Sequence, residues 1–135
     1  MNLDSSAFVA EKELLDALTK RATPIVCAAD GVLFKQGEEP IGLYVLSSGN
    51  ATLSMHSPAG ELLMQVTVAE GALLGLPGVI GNQTYTLTAH VAKGAELSFI
   101  TREDFSQLML SDPALSLKVL RVLAAEVRSA RGAIS

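Results

Sequence analysis

Gly31-Val-Leu-Phe-Lys-Gln-Gly-Glu-Glu-Pro-Ile-Gly-Leu-Tyr-Val-Leu-Ser-Ser-Gly49 is cut by its turn residues into short apolar runs. Gly31 precedes Val32-Leu-Phe34, the Gly37 to Pro40 stretch precedes Leu43-Tyr-Val-Leu46, and Ser47 to Asn50 precedes the next run. A second glycine-bracketed stretch, Gly71-Ala-Leu-Leu-Gly75, follows. Strands this short and this evenly punctuated predict an antiparallel roll or barrel rather than a parallel sheet.

Outward from that core, apolar runs bounded by turns predict strands at residues 25–28, 32–35, 43–47, 51–56, 62–68, 84–92 and 96–101. Ser57-Pro-Ala-Gly60 and Lys93-Gly94 are the turns of two hairpins. Residues 7–21 have helical spacing, with Leu14, Leu15 and Leu18 on one side, and Thr23-Pro24 closes the segment. Thr101-Arg-Glu-Asp104 is a capping box with Asp in place of Glu, and Asp112-Pro113 supplies an N-cap and a first-turn proline for a last helix. The expected architecture is mainly β: an antiparallel double-stranded β-helix (jelly roll) with an N-terminal helix and a C-terminal helix pair. It forms one domain over residues 1–135, divided into 1–21, 22–101 and 102–135.

The chain has 135 residues, 49% of them hydrophobic, with a mean hydropathy of +0.37. No apolar run approaches the ~20 residues of a membrane span, and the first residues lack a basic signal-peptide region. A cytoplasmic protein away from membranes is expected. The net charge of −4 argues against nucleic-acid binding. Between residues 22 and 101 the cations are Lys35 and Lys93, against Asp30, Glu38, Glu39, Glu61, Glu70 and Glu96. A single cysteine, Cys27, supports neither a disulfide framework nor a cysteine metal site. The two histidines, His56 and His90, fall on separate predicted strands. A cupin-type metalloenzyme needs a fuller ligand set, so no catalytic residue, metal or cofactor is expected.

Leu33-Phe34-Lys35-Gln36-Gly37-Glu38, Leu43-Tyr44-Val45-Leu46-Ser47-Ser48-Gly49 and Gly71 to Gly75 together resemble the cyclic-nucleotide-binding domain of the Crp/Fnr superfamily over roughly residues 22–134. The resemblance implies a cassette after the second glycine. In it a helix N-terminus and an arginine hold the cyclic phosphate, and a glutamate takes the ribose hydroxyl. Leu76 stands where the glutamate belongs, and Thr86, within Tyr85-Thr-Leu-Thr88, where the arginine belongs. Loss of both charged contacts weakens a cyclic nucleotide by ~10² to 10⁴-fold. Pro77 removes one N–H from the same turn. Of the hydroxyls the family places on its last helix to meet adenine, only Ser129 remains. Tight binding of cAMP or cGMP is therefore not expected.

Two readings stay open for the degenerate cassette of Leu74, Gly75, Leu76, Thr86, Leu87 and Thr88. A small neutral ligand could occupy a pocket walled by Thr84, Thr86, Thr88 and His90 opposite Leu73, Leu74 and Leu76. Alternatively, the leucines fill it themselves and the module serves protein interaction or dimerisation. On the last helix Val119, Leu120, Leu123, Val127, Ala130 and Ile134 share a side, with Lys118, Arg121, Arg128 and Arg131 opposite. The resemblance makes this the helix of a homodimer, with Leu120, Leu123, Val127 and Ile134 at its seam. A helix-turn-helix unit, which the family's transcription factors carry beyond this helix, finds no counterpart in the sequence, so direct DNA binding is not expected. The expected function is a non-enzymatic regulatory or sensory module.

Overall fold

The computed structural model describes residues 3–134, with side chains described through Gly132. After a 3₁₀ turn at Ser5–Phe8 come α1 (Lys12–Thr19), β1 (Thr23–Val26), β2 (Gly31–Phe34), β3 (Gly42–Ser48), β4 (Ala51–His56) and β5 (Leu62–Val68). Then follow β6 (Leu73–Leu74), α2 (Leu76–Gly81), β7 (Thr88–Val91), β8 (Glu96–Thr101), α3 (Arg102–Ser111) and α4 (Pro113–Ile134). Two antiparallel four-stranded sheets, in the orders β1-β8-β3-β6 and β2-β7-β4-β5, form the roll. The jelly-roll expectation holds.

The alternation of side chains along a strand divides the core in two. On β3, Tyr44 and Leu46 point between the sheets, where they meet Phe34, Leu53, Val66 and Leu97. Leu43 and Val45 point the other way, toward Leu14 and Leu18 of α1, Phe105 of α3 and Val119 of α4. The same split separates Leu74 from Leu73. A strand buried on both faces reads as an unbroken apolar run, which is why residues 43–46 lack polar alternation. β5 is covered on one face only and alternates: Met64, Val66 and Val68 are buried, Gln65 and Thr67 exposed.

Helix starts follow their caps. Thr101 Oγ1 accepts the Asp104 N–H at 3.1 Å, and Asp112 Oδ1 accepts the Leu115 N–H at 3.2 Å. Such caps contribute about 1 kcal/mol each.

Two expectations need correction. Residues 7–21 are not one helix: Val9 forms a β-bridge with Ala72, and the Ala10 N–H donates to the Gly71 carbonyl at 3.0 Å. Those backbone groups are spent on the roll, so α1 begins only at Lys12. The strand expected at 84–92 is confined to Thr88–Val91, because the preceding residues are held by loop bonds instead. The buried side of α4 is Leu115, Val119, Val122 and Glu126, while Leu120 and Val127 are 55% and 51% exposed. α4 settles on the 3₁₀ turn, α3 and α1. Among the described residues, no helix is long and apolar enough to cross a membrane.

Candidate functional site

The cassette begins at Gly75, whose φ of 94° starts α2 from a left-handed residue. A Cβ there would lie 2.7 Å from Cε1 of Tyr85, so glycine is required on two counts. α2 then sends Leu76 and Val79 into the helix-side core. Asn82, also left-handed at φ 53°, ends it. The returning segment is pinned at Tyr85. Its N–H donates to the Glu38 carbonyl at 2.9 Å, and its carbonyl accepts the Gly37 N–H at 2.9 Å. Its ring stacks on Phe34 with centroids 3.9 Å apart. Burial raises the Tyr85 phenol above its ordinary value, keeping the hydroxyl protonated as it donates to the Gly42 carbonyl at 2.7 Å.

Thr86 and Leu87, which follow that anchor, form one wall of a cavity of about 220 Å³. Pro77 of α2, Met55 of β4 and Met64 of β5 extend the wall; Leu3 and Phe8 close one end. The lid is α4, through Leu123, Glu126, Val127 and Ala130. A narrow slot of about 10 Å³ lies against Gly75, Pro77, Phe34 and Leu53, sharing Thr86, Leu87 and Glu126 with the cavity. The Ser129 hydroxyl accepts the Asp4 N–H at 2.6 Å, fastening the N-terminal turn to the lid.

Among the described residues Glu126 is the one ionisable residue in this lining. Its residue is 8% exposed, and Oε2 has no hydrogen-bond partner among the described residues. Burial alone pushes its carboxyl up to about 8. Among the described residues no arginine or lysine lines the cavity. Arg102 bonds Asn82 Oδ1 at 3.1 Å, and Lys118 pairs with Glu11 at 3.2 Å.

The sequence-derived site residues divide. Gly75, Thr86 and Leu87 border the cavity or its slot. Leu74 lies in the inter-sheet core and Leu76 in the helix-side core, each fully buried. Neither forms the expected wall: after the left-handed turn at Gly75, Leu76 enters the helix-side core with Val119 and Val122 of α4 instead of the cavity. Thr84 is exposed, and Thr88 and His90 line an outer depression with His56, not the cavity. Thr88 Oγ1 accepts the Gln36 N–H there at 2.9 Å. The threonine wall therefore does not form: the inward side chains of that strand are Ala89 and Val91. Of the seam residues, Leu120 and Val127 are exposed, Leu123 turns inward to the cavity, and the Ile134 side chain lies outside the described residues.

Sequence reasoning missed Glu126. Its signal was present: Leu115, Val119, Val122 and Glu126 follow i, i+4, i+7, i+11, so a carboxyl occupies a core-facing register.

The sequence profile of the family described as the cyclic nucleotide-binding domain matches residues 24–112, more than half of the chain. This chain belongs to the cyclic nucleotide-binding domain family. The domain is 25% identical to the lysophospholipase nte1 of Aspergillus fumigatus over 100 residues, which are 74% of this chain and 7% of that protein. It is 28% identical to an anaerobic regulatory protein of Aggregatibacter actinomycetemcomitans over 121 residues, 88% of this chain and 45% of that one. The chain thus spans less than a tenth of the lysophospholipase and under half of the regulator. The crystal structure of the Thermus thermophilus catabolite activator protein superposes with a TM-score of 0.78 at 21% identity, covering 90% of this chain and 57% of that one. The cavity of this cyclic nucleotide-binding domain lies between cassette and last helix, and its lining combines apolar side chains with one carboxyl.

Proposed function

We propose that this cyclic nucleotide-binding domain is a non-enzymatic sensory module that accepts a small, mainly apolar ligand under α4 and does not bind cAMP or cGMP tightly. The single observation that carries this reading is the buried Glu126, whose Oε2 has no partner among the described residues, in a lining to which those residues contribute no cation. A phosphate brought into such a cavity finds no counter-charge and, once Glu126 ionises, meets a like charge. The volume of about 220 Å³ is also below the ~300–1,000 Å³ of drug-sized ligand sites. The output is the lid. Leu123 and Glu126 face the cavity, while Leu120 faces outward and Val127 borders both sides, so occupancy bears on the outer stripe of the same helix. That stripe (Leu117, Leu120 and Val127) suits an isologous helix contact with a second copy.

Calorimetry with cAMP and cGMP at millimolar concentration, beside a thermal-shift titration with 1-octanol, tests the reading. No heat from either nucleotide and stabilisation by octanol are expected. Micromolar binding of either nucleotide overturns it. A second reading, a ligand-free interaction module, draws support from the exposed Leu110, 86% accessible, which lines a surface depression together with Leu120; it predicts no response to octanol.

A further inference from the structure

Glu126 occupies the middle of the lid helix, where a leucine would fill the space at no electrostatic cost. A buried carboxyl kept for structure is ordinarily paired with an arginine, a lysine or several backbone N–H groups. Here Oε2 has none of these among the described residues, and the side chain borders both the cavity and its inner slot. A ligand in the cavity can supply the partner that the described residues do not.

Three kinds of small ligand differ in what they offer this carboxyl. An anion is repelled by its ionised form. A neutral hydroxyl supplies one hydrogen bond but leaves the charged form without a counter-ion. A protonated amine supplies both, and a charge-assisted bond is roughly twice as strong as a neutral one. The wider field agrees: the net charge is −4, and the roll carries six carboxylates against Lys35 and Lys93, which draws cations and disfavours anions.

Resting on the reading that the cavity is a ligand site, we propose that its ligand is an amphipathic amine whose ammonium group pairs with Glu126 while its tail lies against Met64, Leu87 and Ala130. The cavity volume of about 220 Å³ corresponds to about seven waters of liquid, hence a ligand of roughly seven to ten non-hydrogen atoms. The two methionines, flexible and polarisable, adapt to a variable tail.

The electrostatics give this pairing a signature. Glu126 is protonated up to about pH 8, so binding a cation there releases a proton. Among the described residues, no other titratable side chain faces it from the N-terminal turn, α2, the Thr86-Leu87 segment, β4 or β5 in the cavity lining. Asp4, on the N-terminal turn, directs its carboxylate to Ser6 instead.

The test titrates the intact chain with n-octylamine, 1-octanol and octanoate by calorimetry between pH 6 and 9. In the wild-type protein octylamine is expected to bind best, its affinity rising about tenfold per pH unit up to about pH 8 and levelling above. Glu126→Gln is expected to lower octylamine affinity at least tenfold, abolish its pH dependence and leave octanol unchanged. Ala130→Leu, which keeps the carboxyl but fills the cavity, is expected to weaken all three. Equal affinity for octanol and octylamine, or octylamine binding indifferent to either substitution, overturns the amine assignment while octanol binding keeps the cavity reading. Silence from all three probes overturns both.

Discussion

Tyr85 donates its hydroxyl proton to the Gly42 carbonyl at 2.7 Å, joining the return from the cassette to the first residue of β3. The bond is buried and spans 43 positions of sequence. It sets the height of Thr86 and Leu87 against α4, and thereby the cavity.

Tyr85→Phe keeps the ring stacked on Phe34 but leaves the Gly42 carbonyl oxygen without this donor. A loss of about 1–2 kcal/mol is expected in urea unfolding, together with faster hydrogen exchange at residues 82–87. Unchanged stability with unchanged exchange contradicts the anchoring role.

Gly75→Ala places a methyl group 2.7 Å from the Tyr85 ring and forces an L-residue to φ 94°. Each problem alone costs on the order of 1–3 kcal/mol. The variant is expected to unfold at markedly lower urea and to lose ligand-induced stabilisation before it loses the fold. Ala at the open, equally positive-φ Gly37, where no atom lies within 4 Å of the added Cβ, is expected to cost less. Equal losses at the two positions would show that the Tyr85 contact is irrelevant.

Glu126 fixes the sign of a pH effect. Its carboxyl titrates near its ordinary 4.5 when unfolded and at about 8 when folded, so the native state holds the proton more tightly. The associated stability is complete below about pH 4.5 and is lost as pH rises through about 8. The slope approaches about 1.4 kcal/mol per pH unit at most. Wild type minus Glu126→Gln, measured by urea unfolding from pH 4 to 9, isolates this term. A flat difference removes the buried charge from the account.

Leu120 and Val127 are half-exposed on the outer side of α4. If they form a twofold contact, Leu120→Lys with Val127→Lys is expected to yield monomers in sedimentation velocity while changing the stability of the single chain by under about 0.5 kcal/mol. A wild-type monomer at 100 micromolar, or a dimer indifferent to both lysines, rules out this surface as the seam.

Glu11 receives Lys118 at 3.2 Å and Arg121 at 3.8 Å, tying α1 to α4 on the surface. Such exposed pairs contribute little, so Glu11→Ala is expected to change the urea midpoint only slightly, with the effect shrinking further at 0.5 M salt. A large, salt-insensitive loss would assign Glu11 a different role.

What the sequence determined by itself was local. Glycine and proline spacing marked the strands, among them the apolar run at residues 43–46, and Thr101 and Asp112 marked the helix starts. Each of these is a property of neighbouring residues and their backbone preferences. The absence of a phosphate-binding arginine from residues 22–101 was equally plain, since it depends on composition alone.

Only the tertiary structure decided which side chains share the cavity. Leu76 and Thr86 flank the same short helix, yet the left-handed backbone at Gly75 sends Leu76 into the helix-side core while Tyr85's long-range bonds hold Thr86 at the cavity wall. The orientation of α4 depends in turn on packing against the N-terminal turn, more than a hundred positions away, as well as against α3. In that orientation Leu120 faces outward and Glu126 inward. Helical periodicity fixes which residues share a face, but long-range packing fixes where that face points, and here that direction placed a carboxyl in the cavity.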